Sequence, residues 1–129
     1  MSADYPEGLL YTKEHEWARV DGKVATIGIT RFAVEQLGDV TMVELPGEGD
    51  DVSQNDVFGT VESVKAVSDL FAPVSGKVVK VNSPIDDTPE VVNDDPYGAG
   101  WLVAIEVSDA SQLEGLMSTE QYEAFLAEQ

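Results

Sequence analysis

The chain has no cysteine, which removes disulfide bridges, thiol nucleophiles and cysteine-ligated zinc from consideration. Any redox chemistry must therefore come from an added group. There is one histidine, His15, so a tight transition-metal site lacks a second imidazole. Basic residues are scarce: seven Lys and Arg stand against 25 Asp and Glu, a formal net charge of −18, and none occurs from Asn82 to the C-terminus. Nucleic acid and anionic membrane are poor partners for such a surface, because phosphate contacts need clustered cations. Basic proteins are the partners such a field steers in. No apolar run approaches the roughly 20 residues of a membrane span, and no basic region followed by an apolar stretch opens the N-terminus. Starting at Met1 without a transit-like segment, the chain reads as a bacterial cytoplasmic protein; a processed mitochondrial chain with a new start would read the same way.

What remains is a chain of 129 residues, 43% hydrophobic, the size of one domain with one core spanning residues 1–129. Residues 1–8 read as a loose lead-in, and Leu9-Leu10-Tyr11 begins a strand or edge contact. Asp21-Gly22 is a turn signal between Ala18-Arg19-Val20 and the run from Lys23 to Ile29, in which Ala25, Ile27 and Ile29 share a face. Thr30 is positioned as the N-cap of a short helix with Phe32, Ala33, Gln36 and Leu37 at helical spacing and Gly38 as its stop. Strands follow from Val40 to Leu45 and, beyond the turn at Asn55-Asp56, around Lys65. Gly76 then leads into Lys77 to Val81. Asn82 to Pro89 reads as an acidic loop, and Trp101 to Val107 as a last strand. A weak self-similarity links Val52 and the Val57 to Val61 strand with Val92 and the Trp101 to Val107 strand, as two β halves packed face to face would. Short strands and frequent turns predict a mainly β sandwich or barrel. Residues 108–129 change character: Ser111 to Glu114 and Ser118 to Gln121 both have capping-box form and predict two short helices packed on the β core.

Lys65 is the residue around which the middle of the chain is arranged. Val57, Phe58, Thr60 and Val61 before it, and Val67, Leu70 and Phe71 after it, favour paired strands, so Lys65 falls on the bend of a hairpin. No other Lys or Arg lies between Arg31 and Lys77, and Glu62 and Asp69 flank it. One reading is a solubilising turn lysine; the other is a tether for a swinging cofactor. An ammonium on an exposed turn is a poor nucleophile, which argues against a Schiff-base enzyme and for acylation by an external one. Near the start, Trp17 reads as a core anchor, with Glu14 and Glu16 either solvated or lining a cleft.

Glu62-Ser63-Val64-Lys65-Ala66, followed by Ala72-Pro73-Val74-Ser75-Gly76, resembles the lipoyl-lysine hairpin of the glycine cleavage system H protein family. His15-Glu16-Trp17, Ile27-Gly28-Ile29-Thr30, Val43-Glu44-Leu45-Pro46, and Pro96-Tyr97 through Gly100-Trp101 match that family in the same order, over nearly the whole chain. The resemblance implies a lipoyl/biotinyl-type flattened barrel-sandwich hybrid with one short internal helix and two short C-terminal helices. It implies lipoate attached covalently to Lys65, with Glu62, Ser63, Val64 and Ala66 forming the attachment turn, and Gly59 and Gly76 serving turn geometry. By position it implies that Glu14, Glu16 and Asp69 shelter an aminomethyl ammonium, and it gives His15 a packing or hydrogen-bonding role. The implied function is a non-catalytic carrier that shuttles the aminomethyl group of glycine. The implied partners are glycine decarboxylase (P protein), aminomethyltransferase (T protein), dihydrolipoamide dehydrogenase (L protein) and a lipoate ligase or octanoyl/lipoyl transferase.

Three rivals are weighed against this. A lipoyl domain of a 2-oxoacid dehydrogenase complex usually carries Asp-Lys-Ala and a flexible linker, where this chain has Val64-Lys65-Ala66, a His-Glu-Trp segment and capped C-terminal helices. A biotin carrier would place methionine on both sides of the lysine. An unmodified β interaction module would leave Lys65 an ordinary surface residue.

Overall fold

Among the described residues, alternating apolar residues and closely spaced turns give nine strands in two sheets. The computed structural model describes Tyr5, Pro6 and residues 8–128. In chain order, β1 is Leu10–Tyr11, β2 Glu16–Asp21, β3 Val24–Ile29, α1 Arg31–Leu37, β4 Val40–Glu44, β5 Asp51–Val52, β6 Val57–Ser63, β7 Val67–Phe71 and β8 Gly76–Val81. A 3-10 turn at Ser83–Asp86, a one-turn helix α2 at Val91–Asp94, strand β9 at Val103–Val107, a 3-10 segment at Ala110–Gly115 and helix α3 at Thr119–Ala127 complete it.

The larger sheet runs β1-β2-β3-β9-β8-β5 and the smaller β4-β6-β7. All pairings are antiparallel. Between the sheets lies one apolar layer that includes Ile27, Ile29, Val43, Val61, Leu70, Val74, Val78 and Ile105. Burying such side chains contributes roughly 1.5–3 kcal/mol each. The result is a flattened barrel-sandwich in which β6 and β7 carry the lysine hairpin on the smaller sheet. A second cluster of Leu9, Tyr11, Trp17 and Tyr122 joins the N-terminal segment to α3.

Several expectations change on folding. Helix α1 has its N-cap at Thr30 and ends at Gly38 with φ 79°, as its sequence predicts. Its buried residues, however, are Val34 and Leu37, while Gln36 is exposed. Phe32 turns instead to the His15 ring, 4.4 Å between centroids. The acidic stretch after Asn82 is not a plain loop: Pro84 opens the 3-10 turn and α2 follows, so the internal helical elements number more than one. Val52 lies in a strand but Val92 in α2, so the two halves suggested by self-similarity do not correspond. Trp101 and Leu102 precede the last strand. The Ser111 capping box does not form, because Asp109 accepts the Ser111 N–H and caps that segment as 3-10. The Ser118–Gln121 box does form. The lead-in is held where it is described: Tyr5 packs edge-on against Tyr122, and the Pro6 carbonyl accepts from Tyr11 at 2.6 Å and Thr119 at 2.9 Å. The rest of residues 1–8 lies outside the described residues apart from Gly8.

Gly59 and Gly76 do not serve turns. Both lie within strands, and a Cβ at Gly59 would strike the carbonyl oxygen of Glu44, while one at Gly76 would strike that of Glu106. Close backbone approach, not bending, requires glycine at both positions.

Candidate functional site

The hairpin bend is built by a serine. Ser63 N–H donates to the Ala66 carbonyl at 2.8 Å, and the Ser63 hydroxyl accepts from the N–H groups of Lys65 at 3.3 Å and Ala66 at 3.1 Å. Two-residue hairpins ordinarily need positive φ, yet neither Val64 nor Lys65 has it. The hydroxyl takes the place of the backbone acceptor that such a turn would use. From outside, the Asp39 carbonyl accepts the Val64 N–H at 3.1 Å and fixes the turn against the end of α1. Lys65 is exposed, and its stem passes over Gly38, where a Cβ would lie 3.4 Å from Lys65 Cε.

Beside the hairpin lies a cleft of about 250 Å³. Its walls are apolar: Ile29, Ala33, Leu37, Val61, Val67 and Leu70. Glu14, Glu16 and Asp69 also line it, so the fold brings together the three acidic residues singled out in the sequence. They are not equivalent. Glu14 and Asp69 are exposed, whereas Glu16 is 1% exposed with both oxygens engaged. Its Oε1 accepts from the Thr12 hydroxyl at 2.8 Å and its Oε2 from the Phe71 N–H at 3.2 Å. Burial pushes the Glu16 carboxyl up to about 8, against the lowering effect of those two bonds. Glu62 and Val67 are paired across the strands just inside the bend.

His15 supports the cleft from behind. It is one of two described non-glycine residues with positive φ, 70°. Its Nδ1 lies 2.7 Å from the Tyr122 hydroxyl, which lies 2.9 Å from Thr30 Oγ1. Burial lowers the tendency of the ring to take a proton, outweighing nearby Glu14. The packing and hydrogen-bonding part expected of His15 is what it plays.

Sequence reasoning missed Thr12, Asp39 and Tyr122, which hold Glu16, the turn and His15 respectively. The first two act through an ordinary hydroxyl and a backbone carbonyl, for which no motif exists. Tyr122 lies at helical spacing beyond the Ser118 box, and its hydroxyl is the one signal the sequence offers for its part.

The residues fit an amide-linked lipoyl group. An exposed amine stands beside apolar walls suited to an aliphatic chain, with carboxylates suited to a cation at its loaded end.

The family model for the glycine cleavage H-protein matches residues 9–129. A glycine cleavage system H protein from Carboxydothermus hydrogenoformans is 54% identical over 124 residues, 96% of this chain and 95% of its own length. One from Anaeromyxobacter sp. (strain K) is 56% identical over 126 residues, 98% of each. The crystal structure of a glycine cleavage system H protein from Mycobacterium marinum superposes with a TM-score of 0.87 at 39% identity, over 95% of this chain and 98% of that one.

Proposed function

The chain belongs to the glycine cleavage H-protein family, and from that premise we propose that Lys65 is the amine through which it carries lipoate. It is the carrier subunit of the glycine cleavage system and is not itself catalytic. Relatives of that description matched end to end leave the 2-oxoacid dehydrogenase lipoyl domain and the unmodified interaction module without support.

The observation that carries the assignment to Lys65 is its place: exposed, on a bend tied by Ser63 and Asp39, at the rim of an apolar cleft with acidic residues. When attached, the dithiolane supplies a disulfide that accepts an aminomethyl group and electrons. The polypeptide supplies everything else. Ser63 and the Asp39 carbonyl hold Glu62 to Ala66 in one shape for the attaching enzyme. Acylation removes the Lys65 charge and leaves a long flexible spacer. Tethering raises the local concentration of the reactive end at any docked active site. On return, the walls from Ile29 to Leu70 exclude water, and Glu14 and Asp69 face the cation. Glu16, buried below them, holds β7 in place.

Residues 1–129 act in this reading as one carrier domain of the bacterial cytoplasm. Its partners are glycine decarboxylase, aminomethyltransferase and dihydrolipoamide dehydrogenase, with a lipoate ligase or octanoyl/lipoyl transferase attaching the group. The net charge of −18 steers it toward basic surfaces on them.

Intact mass of the protein from lipoate-supplied cells should show one lipoyl increment, absent in Lys65→Arg. The same variant should support no glycine-dependent methylenetetrahydrofolate synthesis with P, T and L proteins. An unmodified wild type, or an active Lys65→Arg protein, would sink the assignment.

A further inference from the structure

On the outward face of the larger sheet, Arg19 of β2, Thr26 of β3, Ala104 of β9 and Lys80 of β8 form one row across four strands. Residues directly opposite across antiparallel strands project side by side on one face. Strand spacing places the Arg19 and Lys80 backbones about 14 Å apart, with the short side chains of Thr26 and Ala104 between them. The row and Trp101 line a trough of about 270 Å³.

Three features hold the two cations there. Arg19 donates to the Tyr97 carbonyl at 2.7 Å, and its guanidinium lies 4.9 Å from the centre of the buried Trp17 ring. The remaining N–H groups of its fork are left over. Lys80 Nζ lies 5.6 Å from the centre of the Trp101 ring. Cations over indole faces are attracted by the ring quadrupole and held in orientation. Finally, the β8–β9 register shifts between Val78 and Lys80, which brings Lys80 opposite Ala104. Strict alternation from Val78, which is opposite Ile105 and buried, would turn Lys80 inward; the bulge re-aims it outward.

Neither cation has a carboxylate partner among the described residues. The next row along these strands is Asp21, Val24, Glu106 and Lys77, in which Glu106 stands directly opposite Lys77. In a chain with seven basic residues, two of them are thus fixed on either side of one small concavity.

We propose that this trough is a binding site for a small dicarboxylate, one carboxylate taken by the free edge of Arg19 and the other by Lys80. Its volume suits a molecule of several heavy atoms, not a macromolecular surface, and its two separated cations favour two separated anionic groups over one compact ion.

Titration of the isotope-labelled full chain with succinate at constant ionic strength tests this. Saturable shifts are expected at the Trp101 indole and the Thr26 and Ala104 amides. Acetate and inorganic phosphate should bind about tenfold more weakly, and Lys80→Gln and Arg19→Gln should each weaken succinate by about tenfold. Lys80 has no side-chain hydrogen bond among the described residues, so Lys80→Gln keeps the test decisive if Arg19→Gln disturbs the Tyr97 loop. Lys13→Gln, outside the trough, should bind like the wild type. A response that does not saturate, phosphate binding as tightly as succinate, or Lys80→Gln binding unchanged would each overturn the proposal.

Discussion

The buried carboxyl of Glu16 accepts the backbone N–H of Phe71 at 3.2 Å, joining the first residue of β2 to the last residue of β7. A titratable group thereby links the larger sheet to a strand of the lysine hairpin. In the folded chain its pKa is about 8, above its ordinary 4.5, so folding takes up a proton between those values. That contribution is fully present below the lower value and is lost as pH rises through the upper one. Glu16→Gln removes the titration. The stability of wild type relative to Glu16→Gln should therefore fall between about pH 4.5 and about pH 8 and level off above that, as read by urea denaturation. Parallel profiles would show that Glu16 does not titrate in this range.

Glu14 and Asp69 differ from Glu16 in facing solvent at the cleft. Asp69→Asn should leave folding within about 0.5 kcal/mol of wild type, since it is an exposed substitution. In the loaded carrier it should shorten the lifetime of the aminomethyl group against hydrolysis, followed as ammonia release. Glu14→Gln should do the same. An unchanged lifetime in the double variant would end the shelter reading.

Two glycines are fixed by backbone contact. Gly59→Ala and Gly76→Ala drive a methyl group into the carbonyls of Glu44 and Glu106, within sheet cores that cannot easily shift. Each should cost about 2 kcal/mol or more in chemical denaturation. Gly115→Ala, with open space around it, should stay within about 0.5 kcal/mol.

The Tyr122 hydroxyl stands between His15 and fully buried Thr30. Tyr122→Phe should cost about 1–3 kcal/mol by leaving both without that partner. Ser118→Ala, which removes the α3 capping box, should cost about 1 kcal/mol. If Tyr122→Phe is the milder of the two, the link between α3 and the cleft carries little energy.

Much of this fold was legible because its signals are local. Thr30 and Gly38 bound α1, Asp21-Gly22 turns β2 into β3, and the Ser118 box starts α3, each through neighbours in sequence. The errors share a cause as well. Which side of α1 is buried depends on His15 drawing Phe32 away, and Asp109 pre-empts the Ser111 cap by taking its N–H. Gly59 and Gly76 looked like turn residues because their clashes are with chain far away in sequence.

The sequence by itself put Lys65 on a bend between two β-prone runs and, through the motifs around it, carried the resemblance to the H protein family; with no thiol in the chain, any redox chemistry there must come from an attached group. The tertiary structure decided how the acidic residues are placed. Glu14, Glu16 and Asp69 are alike as letters, but only folding places Glu16 beneath the cleft, between Thr12 and Phe71, and leaves the others at its surface. Burial and hydrogen bonding are properties of surroundings contributed by distant segments, and no local pattern encodes them.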